Sequence, residues 1–182
     1  MTRRRAATAV AVLMSLASCA LADQASPGDA PAVAGEPRPP TEAFAARVER
    51  VVDGDTFIAQ RSDERLRVRL IGIDAPESVQ PDAPVECWGP EATDELDALL
   101  PEGAEVRAAY QPRGRTDRFG RELWDVWTED GRFVQAQLVR RGAALAVAYR
   151  PQVRHAPLLD RLESEARQAG RGLFDPAGRC SR

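Results

Sequence analysis

The chain has 182 residues, of which 43% are apolar, and a formal net charge of -3. This length fits one domain with extensions, and the apolar share is enough to bury a hydrophobic core. All 25 basic residues are arginine and only one residue is histidine, which excludes a P-loop lysine, a zinc site made of several histidines and a two-histidine ribonuclease mechanism. Residues 82–105 hold eight acids and no base, whereas residues 107–121 hold five arginines, so the acidic average does not exclude a polyanionic ligand.

The first 22 residues have the pattern of a bacterial export signal. Three arginines at residues 3–5 precede an apolar run that is too short to span a bilayer comfortably, and small residues follow. Two cleavage sites fit this segment. LASC resembles a lipobox, in which Cys19 is lipidated and becomes the N-terminus, and ALA before Asp23 fits an ordinary signal-peptidase site. We favour the lipobox because it gives Cys19 a role, and we expect an exported protein, either a cell-envelope lipoprotein or a secreted one.

Residues 23–43 carry five prolines and almost no large apolar side chain, a composition typical of a disordered tether. The tether would lead into a domain that spans residues 44–182. Either cleavage leaves two cysteines, Cys87 and Cys180, and an even pair in an exported chain favours a disulfide. The alternative is two unpaired thiols. Neither cysteine has a neighbouring Cys or His at metal-ligand spacing, so a zinc site is not expected.

Three strands open the domain. FAARVERVV, TFIAQ and RLRVRLIGI alternate or run apolar over strand lengths, which predicts a three-stranded meander. Asp53-Gly54 predicts the hairpin turn between the first two strands, and this turn leaves Asp55 unexplained. The third strand has arginines on one face and apolar residues on the other: Arg65, Arg67 and Arg69 against Leu66, Val68 and Leu70.

Helices and two more strands follow. GPEATDELDALL predicts a helix with Pro90 in its first turn and one apolar face, formed by Ala92, Leu96, Leu99 and Leu100. AEVRAAY and ELWDVWT predict two strands, and FVQAQLVRR predicts a helix that ends at Gly142. The last predicted helix runs from about Pro157 to Ala169, with its inward face formed by Leu158, Leu162 and Ala166. The order of elements predicts an α+β, mainly β fold: a five-stranded OB-type barrel with three helices.

Charged residues concentrate where the third strand ends, in VRLIGIDAPES. We expect the third strand, which Asp74 follows, to be buried on both faces. In an antiparallel hairpin the second strand begins beside the end of the third, which brings Asp55 and Asp74 to one rim of the barrel. Two carboxylates and a turn carbonyl form a hard oxygen site suited to Ca²⁺ with several waters retained. Turn capping explains each aspartate alone, but it explains too little of the pair together with Glu77 and Arg69.

A second group of charges lies in RGRTDRFGRE, before the fifth strand. Arginine binds phosphate oxygens bidentately and stays charged in partly buried sites. A solvated loop accounts for Arg113 and Arg115, whereas Arg121 lies closer to the strand and is assigned to phosphate binding. The single histidine, His155, lies beside a predicted helix start, and we interpret it as a surface or capping residue, not a catalytic one.

Four segments carry a family resemblance. VVDGDTF, VRLIGIDAPES, RTDRFGRE and LVRRGAALAVAY, in this order and spacing, resemble the staphylococcal nuclease family, also called thermonuclease or micrococcal nuclease, over about residues 44–174. The resemblance implies an OB-barrel phosphodiesterase that uses Ca²⁺ to cut DNA and RNA, leaving a 3′-phosphate and a 5′-hydroxyl. It makes Asp55 and Asp74 the side-chain metal ligands and the main-chain carbonyl of Ala75 a third. Ala75 stands where the family often has threonine, which is harmless if only the carbonyl binds metal.

The resemblance also assigns catalytic roles. Glu77 matches the residue that orients or deprotonates the attacking water, and Arg69 and Arg121 match the two arginines that hold the phosphate. Arg118 and Tyr149 match positions that contact substrate, a single-stranded or locally open nucleic acid. We expect a monomer whose only link to a membrane is the N-terminal lipid.

One departure and one alternative remain. Phe119 stands where the family has a tyrosine that can contact a terminal phosphate, so that hydrogen bond is absent. The alternative function is a catalytically weak OB module that binds nucleic acid or protein at the cell surface. Degenerate copies lose the acid and arginine set first, and here all five positions are filled: Asp55, Asp74, Glu77, Arg69 and Arg121. This favours catalysis.

Overall fold

The computed structural model describes residues 35–79, 85–112, 114–147, 154–178 and 180. The export signal with Cys19, the first part of the tether, Arg113 and Tyr149 lie outside these described residues. The elements in chain order are β1 Phe44–Asp53, β2 Thr56–Arg61, β3 Glu64–Leu70, β4 Ile73–Asp74, α1 Gly89–Leu99, β5 Glu105–Tyr110, β6 Glu122–Thr128, α2 Val134–Arg141, β7 Leu145–Ala146, α3 Ala156–Gln168 and a 3₁₀ turn Gly172–Phe174. None of the helices in the described ranges is long and apolar enough to cross a membrane.

Five strands close into a barrel in the order β1, β2, β3, β6, β5, and β5 pairs back with β1. Neighbouring strands are antiparallel except β3 and β6, which are parallel. The short strands β4 and β7 form a separate two-stranded sheet. The predicted α+β architecture, a five-stranded OB-type barrel with three helices, is therefore confirmed.

Alternation along β3 separates the core from the charged surface. Val68 and Leu70 are fully buried among the barrel residues, whereas Arg65 and Arg67 are exposed and Arg69 is half-buried. The predicted division into an arginine face and an apolar face is confirmed. The expectation of burial on both faces is wrong, because Arg65 and Arg67 on the outer face of β3 are exposed.

The helices cover the barrel through the faces that their sequences predict. Helix α1 has Pro90 in its first turn and buries Ala92, Leu96 and Leu99. Helix α2 ends before Gly142, whose φ of 72° lies in the left-handed region that favours glycine. In α3 the buried residues are Leu159, Leu162 and Ala166. Leu158 is only half-buried, so the inward face is rotated slightly from the predicted one.

The end of the predicted tether packs against the barrel domain. The Glu36 carboxylate accepts a hydrogen bond from the Phe133 amide (3.2 Å) at the start of α2 and pairs with Arg140 at 2.6 Å. The Trp127 indole N–H donates to the Pro37 carbonyl at 2.7 Å. For these residues the expectation of a disordered tether is wrong. A carboxylate that accepts an amide at a helix start and pairs with a guanidinium later in the same helix orders a segment that has few apolar side chains.

Two long-range contacts bear on other predictions. Cys87 and Cys180 form the predicted disulfide, with their Cα atoms 5.6 Å apart.

The interpretation of His155 as a surface or capping residue is wrong. Its side chain is 15% exposed, its ring centroid lies 4.8 Å from that of Phe133, and it makes no side-chain cap at α3. Burial lowers the pKa of His155 to about 4, so the ring is neutral at pH 7.

Candidate active site

A tight turn between β1 and β2 brings a buried carboxylate to the barrel rim. The register pairs Asp53 with Thr56, so Gly54 and Asp55 are the two turn residues, one position later than the predicted Asp53-Gly54 turn. Neither residue has a positive φ. The Asp55 amide donates to Asp53 Oδ1 at 3.1 Å, which fixes the turn.

Close packing explains the glycine in this turn. A Cβ atom on Gly54 would lie 2.7 Å from the Cβ atom of Ala75 and 2.7 Å from that of Ala92 in α1. Glycine is therefore required by the approach of the rim segment and of α1 to the turn, and not by a left-handed backbone. The packing draws the Ala75 segment close to Asp55.

The Asp55 carboxylate is satisfied on both oxygens although the residue is only 5% exposed. Oδ1 accepts a hydrogen bond from the Thr56 hydroxyl at 2.9 Å, and Oδ2 accepts one from the Ala75 amide at 2.8 Å. Arg69 Nη1 lies 2.6 Å from Oδ2. Burial raises the pKa of Asp55 to about 7 even though the Arg69 guanidinium pulls it down. The carboxylate would thus be stabilised in its charged form by a further cation.

Arg69 joins the two aspartates. Its Nη2 lies 2.7 Å from Asp74 Oδ1, while Nη1 contacts Asp55. The β2–β3 register explains this arrangement, because Thr56, which follows Asp55, pairs with Arg69. Asp55 and Asp74 consequently lie at one rim, as the hairpin register predicts. The guanidinium is 11% exposed and the Asp74 side chain 49% exposed, so the group opens to solvent on the Asp74 side.

The oxygen-donor set at this rim fits a hard divalent cation. Asp55 and Asp74 with the main-chain carbonyl of Ala75 are the groups that would hold it, and one of the carboxylates is buried with a raised pKa. Across the described ranges, no cluster of three or more Asp, Glu, His or Cys side chains is suited to a metal. The remaining ligands would be water, which suits Ca²⁺ in an open site.

Glu77 lies in the segment that follows Ala75, and its backbone is held by Glu86, nine residues later. The Glu77 amide donates to Glu86 Oε2 at 3.0 Å, and the Glu86 amide donates to the Glu77 carbonyl at 2.8 Å. Cys87, the next residue, carries the disulfide. The Glu77 carboxylate accepts a hydrogen bond from the Val79 amide at 3.1 Å, and in the described part of the chain it forms no ion pair with Arg69.

Arg121 is held by Asp117 in the loop before β6. Its Nε lies 2.7 Å from Asp117 Oδ2. Oδ1 of the same carboxylate accepts hydrogen bonds from the backbone amides of Phe119 (2.8 Å) and Arg121 (3.0 Å). Although partial burial acts to raise it, the hydrogen bonds from Arg121 hold the pKa of Asp117 below its ordinary value. Phe119 is 68% exposed, and the Arg118 guanidinium lies 4.7 Å from its ring centroid. The structure thus groups Asp55, Arg69 and Asp74, and it holds Arg121 through a separate contact.

Known proteins are similar to this chain in sequence. The family described as Staphylococcal nuclease homologue matches residues 67–175. The chain belongs to the staphylococcal nuclease family. It is 33% identical over 128 residues to the Thermonuclease of Staphylococcus hyicus, covering 70% of this chain and 74% of the relative. It is 40% identical over 131 residues to an uncharacterized endonuclease of Escherichia coli O157:H7, covering 72% of this chain and 77% of the relative. Membership makes this nuclease a hydrolase of phosphodiester bonds.

Sequence reasoning missed three residues that position side chains of the candidate site. Thr56 caps Asp55, and its signal was a hydroxyl side chain next to the carboxylate. Asp117 orients Arg121, and its signal was an acid four residues before an arginine. Glu86 clamps the backbone of Glu77 across nine positions, and no local pattern marks that contact.

Proposed function

We propose that this nuclease is a Ca²⁺-dependent endonuclease that hydrolyses DNA and RNA in single-stranded or locally open form, leaving a 3′-phosphate and a 5′-hydroxyl. The observation that carries the proposal is the bridge from Arg69 to both Asp55 and Asp74 at one open rim. It combines an oxygen-donor pair for a cation with a guanidinium for a phosphate. Family membership supports the same chemistry.

Arg69 is preorganised to stabilise charge on a phosphoryl group. Ca²⁺ held by Asp55, Asp74 and the Ala75 carbonyl would neutralise charge on the phosphate oxygens. A guanidinium has five N–H donors, so Arg69 can keep its contacts to both aspartates and still donate to a phosphate oxygen. Because carboxylates fix the guanidinium, little reorganisation is needed as charge develops in the transition state.

Arg121 supplies the second guanidinium. Asp117 engages its Nε, and neither terminal nitrogen has a carboxylate partner among the described residues. These two nitrogens therefore remain to bind phosphate oxygens as a fork. We assign Arg118 and Tyr149 to contacts with the rest of the strand.

Glu77 is the proposed base for the attacking water. Its carboxylate accepts one hydrogen bond, from the Val79 amide, and a carboxylate has room for several more. It would orient a water molecule and take its proton as the water oxygen attacks phosphorus, while the bond from phosphorus to the 5′ oxygen breaks and that oxygen takes a proton from water. The clamp from Glu86 keeps the backbone of Glu77 in place for this role.

The test combines cleavage with metal dependence. DNA and RNA are incubated with the purified protein in Ca²⁺ or in chelator, and cleavage rates are measured over a range of Ca²⁺ concentrations. Arg69→Ala, Arg121→Ala and Glu77→Gln should each lower the rate by orders of magnitude, since loss of one preorganised charge costs about 3 kcal/mol or more. Asp55→Ala should raise the Ca²⁺ concentration needed for activity.

A matched control and a contrary outcome complete the design. Arg161→Ala removes an exposed arginine from α3, where it pairs with Glu165 at 2.7 Å, and it should cleave like the parent. If Glu77→Gln and Arg121→Ala also cleave like the parent, the catalytic assignment fails. A catalytically weak nucleic-acid-binding or protein-binding module would then be the better description.

We also propose that the protein is exported and anchored through a lipid on Cys19. The support is the arginine, apolar and small-residue pattern of the first 22 residues. Intact-mass analysis of the mature protein measures the N-terminus and its modification. A mature chain that begins at Asp23 without lipid would contradict the anchor and leave export intact.

A further inference from the structure

A group of stacked aromatic and guanidinium side chains lies at one end of the barrel. The Arg61 guanidinium lies 3.9 Å from the ring centroid of Phe44, and its Nη1 donates to the Tyr110 hydroxyl at 3.3 Å. On the same tyrosine, the Arg115 guanidinium lies 4.8 Å from the ring centroid. We call Phe44, Arg61, Tyr110 and Arg115 the stacked surface. Arg115 is exposed, and the other three residues are half-buried.

The positive charge of the stacked surface is not neutralised by direct ion pairs. Within the described ranges neither Arg61 nor Arg115 pairs with a carboxylate, whereas Arg65 pairs with Glu49. Glu122 is the acid that faces the group, since partial burial and then the Glu122 carboxylate raise the pKa of Tyr110. Two guanidiniums against one carboxylate leave a positive excess.

Backbone pairing places Arg115, one end of the stacked surface, near the proposed catalytic rim. The Leu123 amide donates to the Arg115 carbonyl at 2.7 Å, and Leu123 pairs with Arg69 in the parallel register of β3 and β6. Neighbouring backbones in such pairings lie about 5 Å apart, so the Arg115 backbone lies about 10 Å from that of Arg69. A strand with its scissile phosphate at Arg69 would carry adjacent nucleotides toward Arg115.

We propose that the stacked surface is a second contact site for a single-stranded nucleic acid, separate from the catalytic rim. This inference rests on the proposed nuclease function and deepens it by assigning residues that bind the unpaired strand away from the scissile phosphate. Arginine can donate to phosphate while its flat face stacks, and unpaired bases stack on aromatic rings and on guanidinium planes. A duplex keeps its bases stacked on one another, so the surface favours unpaired strands. It sets strand affinity and leaves the chemical step to Arg69, Arg121 and Glu77.

The experiment measures binding and cleavage with Arg61→Gln, Arg115→Gln and the double variant. Affinity for a fluorescent oligothymidylate is measured in chelator from about 50 to about 200 mM salt. Each lost phosphate contact should reduce the steepness of the slope of log affinity against log salt by about 0.7. The ratio of the affinity at the lowest salt concentration to that at the highest should therefore fall about 2.6-fold. With Ca²⁺, KM for the oligonucleotide should rise while kcat, and cleavage of a dinucleotide substrate, stay at the parent values.

Controls separate the outcomes. Arg161→Gln, a carboxylate-paired arginine on α3, should match the parent in slope and KM. Arg115 is exposed, so Arg115→Gln tests the surface even where Arg61→Gln lowers stability by losing its stacking on Phe44. A parent that cleaves, together with a double variant of unchanged slope and KM, overturns the second site alone. A parent that neither binds nor cleaves any nucleic acid overturns the proposed function and this inference with it.

Discussion

Replacing Gly54 by alanine tests whether close packing requires a glycine beside Asp55. The φ of Gly54 is not positive, so alanine meets no backbone penalty there. Its Cβ atom would instead lie 2.7 Å from the Cβ atoms of both Ala75 and Ala92. Carbon atoms prefer a separation of about 3.5 to 4.0 Å, so the neighbouring backbones must move by about 1 Å.

The size of the effect follows from this overlap. Adding a methyl to a packed site costs about 1 to 3 kcal/mol, whereas alanine at an unstrained, open glycine position stabilises a protein by about 0.4 to 1 kcal/mol. A closely packed position and an open one therefore predict opposite signs for the change in the free energy of unfolding. Displacement of Ala75 should also lengthen its 2.8 Å hydrogen bond to Asp55, and we expect Gly54→Ala to need more Ca²⁺ for cleavage.

Urea unfolding and a Ca²⁺ titration of cleavage measure both effects, and a second substitution supplies the control. Ala92→Gly alone should cost about 1 kcal/mol, because glycine is unfavourable inside a helix. In the Gly54→Ala background it removes one of the two overlaps, so the double variant should be more stable than the sum of the single effects predicts. A Gly54→Ala protein as stable as the parent, or more stable, would refute the close-packing explanation.

Two further predictions concern a pair of buried titratable groups and the disulfide. Burial raises the pKa of Asp125 to about 6, so between about pH 4 and pH 6 this group makes the free energy of unfolding fall as pH rises. Burial lowers the pKa of His155 to about 4, so between about pH 4 and pH 6.5 this group makes the free energy of unfolding rise with pH. The slopes oppose each other, and Asp125→Asn, which keeps an acceptor for Gln111, removes only the Asp125 contribution. Relative to the parent, the variant should therefore lose about 1.4 kcal/mol more of its free energy of unfolding per pH unit of acidification between about pH 6 and pH 4. The same pH dependence in the variant and the parent, measured by urea unfolding, would contradict the prediction. Replacing Cys87 and Cys180 by serine opens a link across 93 residues and should lower the free energy of unfolding by about 4.6 kcal/mol in the chain-entropy model. Unchanged stability would show that the disulfide does not constrain the unfolded chain.

The parts of the fold that were predictable from sequence depend on local periodicity and register. Arginine and apolar residues alternate in β3, and that pattern alone gives its two faces. Antiparallel pairing of β2 with β3 then fixes the neighbourhood of Asp55 and Arg69, because the hairpin leaves little freedom of register. A two-residue turn and a short strand were enough to bring these charges together.

The parts that were missed depend on contacts between distant segments. The burial of His155 comes from packing on Phe133, and the order at Glu36 comes from the start of α2. No local pattern in either segment records the partner. Gly54 is an intermediate case: its position beside Asp55 was evident, but the reason for it lies in Ala92 of α1, which only the folded chain brings near.

The proposed site is held together by two different means. Asp55 and Arg69 are fixed by the register of β2 and β3, which are neighbouring strands of the closed barrel. Glu77 is fixed by Glu86, and the neighbouring Cys87 is linked covalently to Cys180 near the C-terminus. The contacts that join Asp55, Asp74 and Arg69 thus involve no disulfide, whereas the backbone of the proposed base Glu77 is supported next to one that forms in an oxidising compartment. We therefore expect reduction of the disulfide to weaken the support of Glu77 and to leave the contacts of Asp55 and Asp74 with Arg69 in place.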